Sequence, residues 1–173
     1  LGQMRLFDAD LDGTLDAFVA AQGGLVHLTG TADGRFVDPQ PLGVQVYQPR
    51  FFEADIDRDG RTDLVAGAGG LLAVLRPDGL GGLKPIQLID LGGLGDFLTV
   101  ADLDGDGAAD IAGLDILSST LTTWSNDGTG AFIQGPSVPT PEPAGLTHGD
   151  MDGDGDLDLL VLTFELHAGG YRL

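Results

Sequence analysis

An all-β chain that uses one four-stranded unit again and again is the fold class this sequence predicts, and three observations predict it. An acidic loop recurs at a constant period, its first aspartate standing at Asp8, Asp55, Asp102 and Asp150, with spacings of 47, 47 and 48 residues. Short runs of β-favouring residues, separated by Gly and Asp turns, fill each period. Glycine is abundant, at 29 of 173 residues, while aromatics reach only 6%, a balance that suits tight turns and short strands better than long helices.

The elements of the unit follow one another in a fixed order. After each acidic loop comes an apolar run: Ala17-Phe18-Val19-Ala20, Leu64-Val65-Ala66, Ile111-Ala112 and Leu159-Leu160-Val161-Leu162. A second run follows, as Leu25-Val26-His27-Leu28, Leu71-Leu72-Ala73-Val74-Leu75 and Leu121-Thr122-Thr123-Trp124. Next comes an Asp-Gly turn (Asp33-Gly34, Asp78-Gly79, Asp127-Gly128), closed by Phe36, Leu83 or Phe132. With a strand before the acidic loop, each unit holds about four strands. Pro136, Pro139, Pro141 and Pro143 crowd one connection, and because proline lacks the N–H of a central strand, an edge strand or surface loop is expected there.

A repeated four-stranded unit of about 40–50 residues is the signature of a β-propeller blade. A β-solenoid has shorter rungs, and an array of sandwiches rarely keeps so strict a period. The expectation is a single partial β-propeller over residues 1–173, with blades of four antiparallel strands at approximately 1–47, 48–94 and 95–142 and a truncated fourth at 143–173. The fourth repeat stops before its Asp-Gly turn, whereas such rings close with more blades. The rest of the propeller is therefore expected from a longer chain or from another subunit.

The net charge of −19 comes from 27 acidic and 8 basic residues, and only Glu53, Glu142 and Glu165 are glutamates. An excess of aspartate points to turns and hard-cation ligation, where a short carboxylate folds back on its own loop. No basic patch exists to neutralise phosphate, so nucleic acid is not an expected partner. No apolar stretch is long enough to span a membrane. There is no cysteine, hence no disulfide framework and no thiolate metal site.

The loop reads Asp-x-Asp-x-Asp-Gly-x-x-Asp. Aspartates at positions 1, 3, 5 and 9 can turn four carboxylates inward, and calcium takes about six to eight oxygen ligands in an adaptable geometry. The four carboxylate sets are Asp8, Asp10, Asp12 and Asp16; Asp55, Asp57, Asp59 and Asp63; Asp102, Asp104, Asp106 and Asp110; and Asp150, Asp152, Asp154 and Asp158. Position 7, occupied by Thr14, Arg61, Ala108 and Asp156, is expected to add its backbone carbonyl whatever its side chain. Glycine at position 6 permits the sharp turn. Position 2 (Ala9, Ile56, Leu103, Met151) is expected to point into the sheet packing. An EF-hand needs a bidentate Glu at position 12 and flanking helices. Position 12 here is Val19, Ala66, Gly113 or Val161, and the flanks read as strands, so that motif is rejected. Magnesium suits the loop less, since it demands a strict octahedron.

These residues resemble the FG-GAP/VCBS repeat family, the calcium-bearing blades of integrin-α-like β-propellers. The matches are Asp102-Leu-Asp-Gly-Asp-Gly-Ala-Ala-Asp-Ile111 and Asp150-Met-Asp-Gly-Asp-Gly-Asp-Leu-Asp-Leu159, with Trp124-Ser-Asn-Asp-Gly-Thr-Gly-Ala-Phe132 as a second cue. The resemblance implies a loop between the first two strands of each blade, holding Ca²⁺ through side chains at positions 1, 3, 5 and 9 and the carbonyl at 7, or about four ions per chain. Leu11 and Arg58 stand where the family often has Gly.

Catalysis leaves no comparable mark. His27 reads as a packed strand residue and His148 as a turn residue before the fourth loop. No Gly-x-Ser-x-Gly elbow, P-loop or dinucleotide fingerprint occurs. Asp96, Asp115 and Glu165, outside the loops, read as solvated positions, and Trp124 as packing rather than a sugar platform. The expected function is a non-enzymatic, extracellular (secreted or cell-surface) module with structural calcium, binding a protein or glycan ligand. The alternatives are a lectin-like or substrate-positioning propeller of a carbohydrate-active enzyme, and a subunit of an extracellular repeat assembly.

Overall fold

The computed structural model describes residues 4–45, 49–68, 70–77, 83–91, 97–167 and 170–172. Among them the regular elements are strands, all paired antiparallel, and no helix is long and apolar enough to cross a membrane. The Asp78-Gly79 turn and Asp96 lie outside the described residues.

The chain divides into two compact units. The first comprises residues 1–53 and 61–90, the second residues 54–60 and 91–173. In the first, β1 (Met4–Phe7), β2 (Asp16–Ala21), β3 (Gly24–Gly30) and β4 (Phe36–Pro41) pair in chain order as one meander. A second meander runs through β5 (Arg50–Ala54), β6 (Asp63–Ala68), β7 (Leu71–Pro77) and β8 (Leu83–Asp90). Phe7, Phe18 and Leu25 of the first sheet and Leu64, Ala66, Ala73 and Leu75 of the second share one buried cluster. That shared core takes up the buried apolar residues of the inner strands, Phe18 and Leu25 in the first sheet and Leu64, Ala66, Ala73 and Leu75 in the second. His27 lies in β3, buried, with its ring flat on Phe18 at a centroid distance of 4.8 Å.

The second unit holds a third meander, β9 (Phe97–Ala101), β10 (Asp110–Asp115), β11 (Thr120–Asn126) and β12 (Phe132–Gln134). The proline-rich connection contributes β13 (Val138–Pro139), a two-residue exposed strand paired with the start of β11, which is the edge position proline allows. β10 is buried along its whole length. Trp124, opposite Ile111, lies over Gly113, where a Cβ would come within 3.2 Å of its ring. β14 (Pro143–Gly149) and β15 (Asp158–Thr163) form a hairpin whose β14 packs against β9 and β10. β15 alternates exposed and half-buried residues, unlike its buried counterpart β10. β16 (Glu165–His167) and β17 (Gly170–Arg172) form a separate hairpin.

Candidate metal centres

Each acidic loop links the first two strands of its repeat, and the hydrogen bonds that shape it recur from copy to copy. The position-6 N–H donates to Oδ2 of the position-1 aspartate: Gly13 to Asp8 at 3.0 Å, Gly60 to Asp55 at 2.9 Å, Gly107 to Asp102 at 2.9 Å and Gly155 to Asp150 at 3.2 Å. Position 3 accepts from the N–H of position 5, as in Asp12 to Asp10 (3.1 Å) and Asp106 to Asp104 (3.2 Å). Position 5 accepts from the N–H of position 7, with Thr14 on Asp12, Ala108 on Asp106 and Asp156 on Asp154. Carboxylates of short reach thus cap the backbone of their own turn. The backbone is left-handed at position 6 in every copy (φ +82° to +99°). It is also left-handed at position 4, where Leu11 (φ 60°) and Arg58 (φ 55°) take a conformation that Gly105 and Gly153 adopt without Cβ strain.

The position-9 aspartate is a clasp. Asp110, 2% exposed, accepts from Leu103 N at 2.9 Å through Oδ2 and from Asn126 N at 2.8 Å through Oδ1. Asp16, fully buried, does the same with Ala9 N (3.1 Å) and Gly30 N (2.7 Å). Asp158, exposed, holds Met151 N at 3.0 Å. The residue thus ties the loop's start to the strand that follows.

Three carboxylates converge in each of three loops, with one oxygen of each within 4.8 Å of the others: Asp8, Asp10 and Asp12; Asp102, Asp104 and Asp110; Asp150, Asp152 and Asp158. Asp16, Asp106 and Asp154 stand outside these triplets, turned to the N–H groups just described. The second loop is divided between the compact units, with Asp55, Asp57 and Asp59 in the second and Asp63, buried at the start of β6, in the first. Its Arg61, at position 7, is exposed.

The triplets fit a cation. Oδ1 of Asp8 and Oδ1 of Asp102 are buried with no hydrogen-bond partner, and a charged oxygen in that state is costly unless something positive meets it. Burial, reinforced by the neighbouring Asp12, Asp16 and Asp8 carboxylates, pushes the Asp10 carboxyl up. Burial and then Asp104 and Asp106 do the same to Asp110, against the hydrogen bonds from Asn126 and Leu103. Asp12 is held below the ordinary range by Thr14, through its hydroxyl and its N–H. Asp106 is held low by the Ala108 N–H and then by Arg58. An all-oxygen, all-carboxylate donor set of this kind suits a hard cation such as calcium.

Some side chains sit elsewhere than the sequence suggests. At position 2, Ala9 and Ile56 are buried and Leu103 is half-buried, but Met151 is 63% exposed, because neighbouring strands, not the loop, bury that position. Asp115 is not solvated. It is 7% exposed and accepts from Leu117 N (2.8 Å) and Ser118 Oγ (2.6 Å), closing the β10–β11 turn. His148 is a strand residue whose Nδ1 lies 2.5 Å from Thr99 Oγ1. Sequence reasoning missed Asn126, a buried hub whose Nδ2 donates to Ile56 O and Ala109 O and whose Oδ1 accepts from Gly128 N and Gly130 N. Its place just before the Asp-Gly turn was the available signal. Trp124 is 3% exposed and borders, with Asp104 and Asp158, a cleft of about 380 Å³ between the third and fourth loops.

A family model described as an FG-GAP-like repeat matches residues 55–113, and the chain carries such a repeat there. No curated protein matches by sequence. Among solved structures, the chain is similar to an Agrocybe aegerita lectin described as recognising non-reducing terminal N-acetylglucosamine, with 22% identity and a TM-score of 0.63 over 91% of this chain and 46% of that one. It is also similar to BBS1N, solved in complex with ARL6DN, with 14% identity and a TM-score of 0.57 over 98% of this chain and 54% of that one. The chain thus spans about half the length of these structures. The likeness supports the β-propeller reading of the four-stranded meanders.

Proposed function

We propose that this chain is a calcium-stabilised, non-enzymatic β-propeller module of an extracellular protein, one that presents its loops to a protein or glycan ligand. A single observation carries the calcium reading: the buried, unpartnered Oδ1 atoms of Asp8 and Asp102 lie in loops that crowd three carboxylates together. Calcium would supply the positive charge those oxygens lack and would tie the first two strands of each repeat together. Asp8, Asp10, Asp12 and Asp16 would hold the first ion, and their counterparts in the other loops the rest, with the carbonyls of Thr14, Arg61, Ala108 and Asp156 adding to the set. Four ions would take the formal charge from −19 to −11 (−19 + 4 × 2). Extracellular modules hold calcium at about 10⁻⁴–10⁻³ M, which an outside supply saturates.

Calorimetric titration of the chelated chain should give a stoichiometry near four, and calcium should raise the melting temperature. A melting curve unmoved by EDTA, or no calcium uptake, sinks the reading.

The likeness to a lectin favours a glycan as the ligand. A glycan array combined with an assay for new reducing or unsaturated ends separates the outcomes. Binding without turnover fits the proposal, whereas turnover overturns its non-enzymatic part.

A further inference from the structure

We infer that Arg58, at position 4 of the second acidic loop, is a resident cation of the third loop and competes there with calcium for Asp106. The inference rests on the calcium reading above. Arg58 Nη2 lies 2.6 Å from Asp106 Oδ1 and donates to the Asp106 carbonyl oxygen at 2.5 Å. Asp106 occupies position 5 of the third loop, which the sequence expects to face an ion, yet it stands outside the Asp102, Asp104 and Asp110 triplet, with Oδ1 turned to Ala108 N and Arg58. The structure leaves room for the guanidinium: a Cβ on Gly128 would fall 2.7 Å from Arg58 Cδ and Nε. The second loop is also fastened to the third repeat by Asn126, whose Nδ2 holds Ile56 O at 2.7 Å while its own N–H holds Asp110. Of the third loop's four carboxylates, Asp106 thus answers directly to a second-loop side chain, and Asp110 answers to Asn126, a β11 residue that also bonds the second loop.

The backbone points the same way. Arg58 keeps a left-handed φ of 55° at a position where the third and fourth loops carry glycine. A side chain retained against that preference is over-determined by its surroundings. At the same position the first loop has Leu11, so among the four loops the second alone can lend a cation to its neighbour. A fixed positive charge on Asp106 must be shared or displaced when calcium arrives, and it repels the incoming ion as well. It is present at every calcium concentration, so it keeps Asp106 partnered when calcium is scarce.

The test is calcium calorimetry, with melting in EDTA, on the wild type, Arg58→Gln, Arg58→Gly, Asp106→Asn and the Arg58→Gln/Asp106→Asn pair. Arg58→Gln should tighten one site about two- to fivefold, the range for an exposed ion pair, and should lower the melting temperature in EDTA. Arg58→Gly restores the residue of the third and fourth loops and should tighten the same site without backbone strain. In the Asp106→Asn background, Arg58→Gln should tighten the site less than it does in the wild type, because only the bond to the Asp106 carbonyl and the general repulsion of the ion remain to be lost. If the wild type binds calcium but neither Arg58 variant tightens a site, the inference alone is overturned. If the wild type binds none, the calcium reading falls and this inference with it.

Discussion

Asp102→Asn and Asp110→Asn exchange the same atoms in the same loop, yet the structure predicts opposite behaviour without calcium. Asp110 has both oxygens engaged, by Leu103 N at 2.9 Å and Asn126 N at 2.8 Å, at a buried site. An asparagine there keeps one acceptor and turns an NH₂ toward a buried N–H. The loss is one hydrogen bond to a charged group, with its donor left unsatisfied, or about 2–3 kcal/mol. Asp102 engages only Oδ2, through Gly107 N at 2.9 Å, while Oδ1 is buried and unpartnered. An asparagine there can keep the Gly107 bond and place its NH₂ where the orphan oxygen was, facing the Asp104 and Asp110 carboxylates. In EDTA the change should be neutral, or stabilising by up to about 1 kcal/mol. In about 10 mM calcium, roughly a hundred times a 10⁻⁴ M dissociation constant, each filled site contributes about 2.7 kcal/mol. Asp102→Asn should forfeit most of that gain at one site, a melting shift of about 5–10 °C. Unfolding followed by circular dichroism in EDTA and in calcium reads both effects. If Asp102→Asn destabilises the chelated chain as much as Asp110→Asn does, the division into clasp and ligand is wrong.

Other substitutions test the scaffold around the loops. Asn126→Ala removes the side-chain bonds to Ile56 O, Ala109 O, Gly128 N and Gly130 N and should destabilise by about 2–4 kcal/mol in urea unfolding. Gly30→Ala drives a Cβ into the Leu15 carbonyl and should cost about 3 kcal/mol or more, whereas Gly34→Ala, with open space but φ +77°, should cost about 1 kcal/mol. Asp115→Ala should cost about 1–3 kcal/mol by loss of the Ser118 and Leu117 bonds. Those bonds hold the Asp115 carboxyl below its ordinary 3.8, so its contribution is present above that pH and fades as pH falls through the lowered value. The gap between wild type and variant should therefore narrow in acid denaturation monitored below about pH 4.

The repeat was legible because it is written in local terms. The 47-residue period, the Asp-Gly turns and the alternation of apolar runs each depend on residues a few positions apart, and the meanders β1–β4, β5–β8 and β9–β12 follow from them. The loop's own hydrogen bonds, such as Gly107 to Asp102, span at most a few residues as well. What stayed hidden lies between repeats. Arg58 meets Asp106 across 48 positions and Asn126 meets Ile56 across 70, and no periodic pattern in either segment announces the other. Asp115 was misread for a different reason. A lone aspartate next to an apolar turn is ordinarily solvated, and only the fold shows Ser118 and Leu117 closing around it. His148, one residue from the fourth loop, looked like a turn residue until its partner Thr99 was in place.

The carboxylates of a loop divide into those that finish its folding and those that folding leaves unsatisfied. Positions 3, 5 and 9 accept backbone N–H groups, so the turn forms around them whether or not an ion is present. Position 1 takes an N–H on each oxygen in the second and fourth loops, but in the first and third it takes one and keeps the second oxygen buried and alone. A cation at that point would not need to build the loop; it would relieve a charge the loop has already buried. On this account chelation should leave the strands paired and lower the melting temperature, in contrast to small domains whose metal supplies the fold itself. It also explains how one loop can tolerate Arg58 at its rim. The scaffold is set by backbone capping, which leaves the charge balance free to vary from repeat to repeat.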